Sequence, residues 1–362
     1  MKYALFAAAA VLSSFVAAPS FAQVDVKIGG YTSNYVGWAD QDTLPNQDVK
    51  HFDILRDSEI HFRAEGKTEN GITYGLHVEA LVDGGDGFDV QESYLYLSSV
   101  LGKVNLGTED GAVYGMQVSI PNADPNIDGL RQFINPLNYG ATSIGAGTYL
   151  STGVDYAARG TGKAEKITYY TPNWNGLQFG ISYTPDVGTP NGAATAGFVV
   201  DGAGLDEAYE AAIRYETKIN DIGVKVGGGY SHIEQGTAGA ANDDVAQWNI
   251  GVDLDIGQFG IGATYVEFEN NLGVRANDVE TIAIGVDYHL NEQVKLGASY
   301  FTSEFGTATG DIDIDRYTAG VTYKFVPGVE LRGSVSFIEH DLPGAARDVD
   351  ATSVMTGLVF TF

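Results

Sequence analysis

Along most of this chain, apolar and polar residues alternate with a period of two. In the stretch from Glu59 to Lys67, Ile60, Phe62, Ala64 and Gly66 fall on one side, and Glu59, His61, Arg63, Glu65 and Lys67 on the other. Glu69-Asn70-Gly71 then supplies a tight turn, and Ile72, Tyr74, Leu76 and Val78 resume the alternation. The same spacing returns in Leu177, Phe179, Ile181 and Tyr183, in Tyr209, Ala211, Ile213 and Tyr215, and in Leu331, Gly333, Val335 and Phe337. Successive side chains of a strand point to opposite faces, so these stretches are predicted strands with one apolar face. No segment after the N-terminal apolar run has the 3.6-residue periodicity of a useful amphipathic helix.

The connections sort into two sets. Short ones fall at Asn70-Gly71, Leu101-Gly102, Asn173 to Gly176, Asn220-Asp221, Gly257-Gln258, Asn291 to Gln293 and Pro327-Gly328. Longer ones, rich in Gly, Asp, Ala and Pro, fall near 38–50, 83–88, 111–163, 186–206, 235–243, 270–277, 306–311 and 341–348. Strict alternation of the two sets predicts about 16 antiparallel strands of roughly ten residues each. An even strand count, with short turns at one end and long loops at the other, describes an all-β transmembrane barrel. A secreted sandwich or β-helix would share the alternation, since either has one apolar face. Aromatic residues near strand ends favour the barrel, among them Tyr183, Tyr230, Tyr300, Phe325 and Phe360. Closure also removes the exposed edges an open sheet of this size would carry. The chain's last residues, Gly357 to Phe362, put Leu358, Phe360 and Phe362 on one face. That suits a final strand closing against Val24 to Tyr35, with rings at the membrane boundary.

The N-terminus adds an export address. Lys2 precedes an uncharged apolar run from Leu5 to Ala18, then Pro19 and the small-x-small set Ser20-Phe21-Ala22. This reads as a signal peptide over 1–22, cleaved after Ala22, leaving 23–362 as one barrel domain. The run is shorter than the ~20 residues of a spanning helix. With no cysteine, no disulfide framework supports the fold. A formal net charge of −27 makes nucleic acid an unsuitable partner and suits cations, or a surface bridged by divalent ions.

Motif chemistry is sparse. Gly229-Tyr230-Ser231-His232-Ile233 lacks the closing glycine of a nucleophile elbow. Gly160-Thr161-Gly162-Lys163 lacks the earlier glycine and the following hydroxyl of a phosphate loop. No enzyme and no organic cofactor are expected. The six histidines are scattered without zinc-site spacing. Asp83, Asp86 and Asp89, around three glycines, could offer oxygens to Ca2+, although a solvated acidic turn has the same composition.

Three blocks carry a family resemblance. Tyr94 to Ser98 with Leu101 to Gly107 is one, Ile167 to Pro172 with Gly176 to Tyr183 a second, and Asn70 to Gly75 a third. Their order and spacing, with the terminal phenylalanine, resemble the general porins of Gram-negative outer membranes. That resemblance implies a homotrimer of 16-stranded barrels amid lipid and lipopolysaccharide. It also implies a third long loop, roughly Gly111 to Lys163, folded into the pore, and an assembly signal at Phe360 and Phe362. Met355 stands where that signal more often has a polar residue, and the acidic constriction motif of enteric relatives is missing. The implied constriction candidates are Glu109, Asp110, Asp124 and Asp128 on the loop and Lys27, His61 and Arg63 on early strands. Facing charges of both signs across a narrow aqueous gap would set up a transverse field. The expected function is passive diffusion of small hydrophilic solutes and ions with weak cation preference, the loop carboxylates opposing Arg63. A substrate-selective channel would need an inward row of aromatic or basic residues. A barrel enzyme would need a catalytic Ser and His on the lipid-facing side.

Overall fold

The computed structural model describes residues 24–83, 88–142, 153–188, 204–236, 241–344 and 348–362. The signal-peptide expectation for 1–22 and the Ca2+ candidate Asp86 lie outside them. Sixteen antiparallel strands close into one barrel. In chain order they are β1 (Asp25–Gln41), β2 (Phe52–Lys67), β3 (Thr73–Leu81), β4 (Asp89–Ser99), β5 (Gly102–Thr108), β6 (Glu165–Tyr170), β7 (Leu177–Thr184) and β8 (Leu205–Ile219). Then follow β9 (Ile222–Gln235), β10 (Val245–Ile256), β11 (Phe259–Glu269), β12 (Val279–His289), β13 (Val294–Thr307), β14 (Gly310–Val326), β15 (Val329–Asp341) and β16 (Val349–Thr361). Each strand pairs with its sequence neighbour, and β16 returns to β1 from Tyr31↔Thr361 to Gln41↔Ala351. The last residue joins the closure, since Phe362 and Gly30 exchange two backbone hydrogen bonds of 3.1 Å. Phe360 and Phe362 stack outside the barrel with ring centroids 5.5 Å apart.

Two-residue turns need backbone that favours glycine or asparagine. Asn220 between β8 and β9, and Gly257 between β10 and β11, take positive φ of 54° and 64°. One expected long loop is not there. Only Ala308 and Thr309 separate β13 from β14, because Gly306 and Thr307 continue the ladder onto Asp311 and Gly310. Nor are the strands uniform: β5, β6 and β7 have 7, 6 and 8 residues, whereas β1 and β14 have 17.

The inside and outside are inverted relative to a soluble sandwich. On β12, outward Ile282, Ile284 and Val286 are 41%, 46% and 44% exposed, while inward Thr281 and Ala283 are buried. Apolar side chains in that position are stable only against hydrocarbon, which decides between barrel and sandwich. The interior is not polar throughout. Val266, Phe268, Val279, Phe301, Phe305, Ile314 and Ile338 point inward and are buried, because a protein segment rather than water lies against them.

Candidate pore constriction

That segment is the connection between β5 and β6, residues 109–164. It begins with one helical turn, α1 (Ala112–Gly115), then runs across the inner wall towards β15, β16 and β1. Inward glycines make the approach possible. A Cβ on Gly180 would lie 2.6 Å from the sulfur of Met116, and one on Gly227 would lie 2.9 Å from Cγ2 of Val118. On Gly285 it would lie 1.9 Å from the Pro121 carbonyl oxygen, and on Gly297 2.6 Å from the Ala123 nitrogen. Absent side chains thus let the loop's backbone lie flat on the wall over β7 to β13.

Polar anchors fix its far end. Asp124 is fully buried, accepts from the Tyr35 hydroxyl at 2.8 and 2.9 Å, and pairs with Arg332 at 3.4 Å. Asp128 is also buried and accepts from Ser299 at 2.7 Å and from the backbone nitrogens of Ala123 and Asp124. Burial pushes both carboxyls upward from the usual range; Arg332 opposes this at Asp124, and Ser299 with the backbone donors opposes it at Asp128. Ile127 and Ile134 seal the contact against Tyr35, Met355 and Val359, which gives inward-facing Met355 a packing role. The return arm is held by Arg316, whose Nη1 donates to Val154 O at 2.8 Å, and by Gly160 N donating to Gln247 Oε1 at 2.7 Å.

The expected constriction set is therefore divided. Asp124 and Asp128, expected to face the gap, are instead the pins that hold the loop on the opposite wall. Glu109 is buried at the end of β5, where Asn105 donates to it at 2.6 Å and Lys166 donates to its carbonyl oxygen; burial pushes its carboxyl up as well. Asp110 pairs with Arg159 at 3.1 Å on the loop's open edge. Burial pulls the Arg159 guanidinium down, but Asp110 and its neighbours raise it overall, so it stays charged. Lys27 and Arg63 are inward and exposed, opposite each other in the β1–β2 register. Arg63 does not oppose the loop carboxylates, for its Nε donates to Nδ1 of His77 at 2.8 Å. Asp83 sits 3.8 Å from Arg56, and Asp89 opens β4.

Across from the loop's return arm lies an inward sector of titratable side chains, of which Asp57, His61 and Glu79 are half-buried and Glu59, His77 and Glu92 buried. Asp57, Glu59, His61, His77, Glu79 and Glu92 point inward from β2, β3 and β4. Lys163 of the return arm reaches this wall, 3.1 Å from Glu92 and 3.8 Å from Glu79. Arg131 interacts electrostatically with Asp57 of the wall and with Asp155 of the loop, where burial pushes the carboxyl up against backbone donors and both arginines. Arg131, Gln132, Asp155 and Arg159 also line a cavity of about 220 Å³ on the loop. On the turn side of the loop, Lys103, Tyr170, Arg214 and Glu216 line another of about 400 Å³. The Asn70-Gly71 turn carries a readable signal for the wall cluster. It fixes the hairpin so that Arg63 opposes His77 and His61 opposes Glu79, placing two histidines side by side despite their sequence separation.

Residues 7–341 match a family model described as Gram-negative porin. Among curated proteins, an uncharacterized protein of Rickettsia conorii is 22% identical over 307 residues, covering 68% of this chain and 69% of its own. Among solved structures, an anion-selective porin from Comamonas acidovorans matches with a TM-score of 0.66 and 17% identity, covering 94% of this chain and 100% of that one. Salmonella typhi OmpF gives 0.63 at 18% identity, covering 93% and 97%. Vibrio cholerae OmpT in its trimer form gives 0.60 at 18%, covering 94% and 99%.

Proposed function

Taking as premise that the chain belongs to the Gram-negative porin family and forms an outer-membrane channel, we propose that it passes small hydrophilic solutes and ions by passive diffusion, with a weak cation preference set by the wall of β2 to β4. The observation that carries this is the inward cluster of Asp57, Glu59, Glu79 and Glu92 on one sector. Of the bases nearby, Lys163 is engaged by Glu92 and Glu79, Arg159 by Asp110 and Arg131 by Asp57, while Lys27 and Arg63 stay exposed to the lumen. The preference is weak because these bases offset part of the charge; where carboxylates outnumber the bases that face them, an aqueous gap gathers cations. The Comamonas porin of the same fold is described as anion-selective, so preference belongs to the lining charges rather than to the barrel.

A homotrimer is part of the reading. A strand crosses the membrane with about 9–11 residues, and β5, β6 and β7 fall short of that. A low wall of this kind is covered when it faces other copies instead of lipid. Lipopolysaccharide around the outer rim, bridged to acidic loops such as that of Asp83 and Asp89 by Ca2+, completes the surroundings. Catalysis has no support from the one serine-histidine neighbour pair: Ser231 is buried and donates to Glu210 at 3.2 Å, while His232 lies on the opposite face of β9.

Planar-bilayer recording tests the proposal. Each insertion should give three equal conductance steps and a cation-selective zero-current potential in a KCl gradient. Asp57→Asn with Glu92→Gln should lose most of that preference. The difference should shrink in concentrated salt, because the Debye length falls from about 10 Å at 0.1 M to about 3 Å at 1 M. An anion-selective potential, or one the double variant leaves unchanged at low salt, overturns the assignment; single conductance steps overturn the trimer.

A further inference from the structure

Outside the loop's anchors, the described residues bring metal-ligating side chains together at one place. His61, His77 and Glu79 have donor atoms that all lie within 4.8 Å of one another. Nε2 of His77 is 2.8 Å from Oε1 of Glu79, and Nδ1 of His61 is 3.8 Å from the same oxygen. Two ligands each about 2.0–2.1 Å from a tetrahedral zinc ion sit roughly 3.3 Å apart, so these separations bracket a coordinating arrangement.

The hydrogen bonds around the trio point the same way. Nε2 of His61 lies 3.1 Å from Oε2 of Glu59, a carboxylate that accepts its proton. This assignment leaves Nδ1 of His61 as a lone pair aimed towards a Glu79 oxygen that is itself an acceptor. At 3.8 Å, no hydrogen bond joins them. A cation between the two would engage both, in place of the proton that Nε2 of His77 gives this oxygen. A carboxylate on the far nitrogen is also the usual support of a metal-bound histidine, fixing its tautomer and raising its basicity. The second ring is held by stacking: His77 and Tyr94 have centroids 5.2 Å apart at 8°.

We propose that Nδ1 of His61, Nε2 of His77 and Oε1 of Glu79 form a lumenal binding site for a borderline divalent transition-metal ion such as Zn2+, with Glu59 orienting His61 and water completing the coordination. Two imidazoles and one carboxylate select such ions over Mg2+, which takes oxygen ligands. Binding moves the His77 proton from Nε2 to Nδ1 and ends the hydrogen bond from Arg63, whose exposed side chain withdraws into the lumen. The balance is then one metal ion taken up and no proton released from His77. The site depends on the β2–β3 register and not on the selectivity of the channel.

Isothermal titration of the purified, detergent-solubilised mature protein with ZnCl2, beside MgCl2, tests it. The expected result is one zinc per chain, undisturbed by millimolar Mg2+. Glu59→Gln should keep the stoichiometry and weaken affinity by about 10–100-fold, the range for a lost supporting partner. His61→Ala and His77→Gln should abolish saturable binding, while Arg63→Ala, which frees Nδ1 of His77, should tighten it. Heat-modifiable migration of each variant shows that the barrel has formed. His51→Ala/His232→Ala/His289→Ala should bind like the parent. Absence of saturable zinc binding in the parent, binding unchanged in His61→Ala, or binding lost when His51, His232 and His289 are replaced overturns the site.

Discussion

Arg332→Ala is expected to release the inward loop from the wall at a cost of about 3–5 kcal/mol, the usual penalty for stranding one member of a buried ion pair. Arg332 is nearly enclosed and faces Asp124, which has no exposed surface at all. Without the guanidinium, the Asp124 carboxylate keeps the Tyr35 hydroxyl and the Asn126 nitrogen but loses its only ion-pair partner among the described residues. The barrel's ladders do not depend on this contact, so the energy should be lost from loop docking and not from the strand framework. Faster proteolysis within residues 109–164 and a noisier open-channel current, with unchanged β-sheet circular dichroism, are the expected readings. Asp124→Asn with Arg332→Met removes both charges and should be milder than the single change. A single variant as quiet and as resistant as the parent would show that Asp124 and Arg332 do not anchor the loop.

Ile284→Lys is expected to destabilise the barrel by about 2–4 kcal/mol, the cost of a lysine facing lipid near the midplane. Ile284 is central in β12, outward and unshielded, on the side where the strands are long enough to span. Glu65→Lys puts the same side chain on the inward, exposed face of β2 and should leave stability nearly unchanged. Urea unfolding in phospholipid vesicles measures both. Equal losses at the two positions would reverse the assignment of inner and outer faces.

The outward face was legible because lipid imposes one simple demand on every second residue, as in Ile282, Ile284 and Val286. Turns were legible wherever the backbone needs Asn or Gly, as at Asn220 and Gly257. Gly306 to Asp311 misled because Gly, Thr and Asp suit a strand end standing in water as well as they suit a loop. The loop's chemistry was hidden for a different reason. Asp124 meets Tyr35 across 89 positions and Arg332 across 208, and no local pattern reveals that a carboxylate will be buried. The family resemblance and their charge placed Asp124 and Asp128 in the water-filled gap; the surrounding donors took them out of it. The wall glycines were visible as inward members of the alternation, at Gly227, Gly251 and Gly285, yet their meaning needs the loop that lies on them. The histidines read as scattered because their spacing along the chain is wide; the signal that joins His61 to His77 is the Asn70-Gly71 turn, whose register decides which inward side chains become neighbours.

The proposed channel is a water-filled lumen bounded by the loop edge at Arg131 and the wall of β2 to β4. The chain has no cysteine of its own, so an introduced thiol is unique. Arg131→Cys and Ile284→Cys should be reconstituted separately into planar bilayers and treated with a membrane-impermeant, negatively charged methanethiosulfonate reagent. The current through Arg131→Cys should fall in discrete steps, as each pore acquires a fixed anion in its lumen, while Ile284→Cys should be unaffected. Current block at Ile284→Cys with none at Arg131→Cys would contradict the proposed channel.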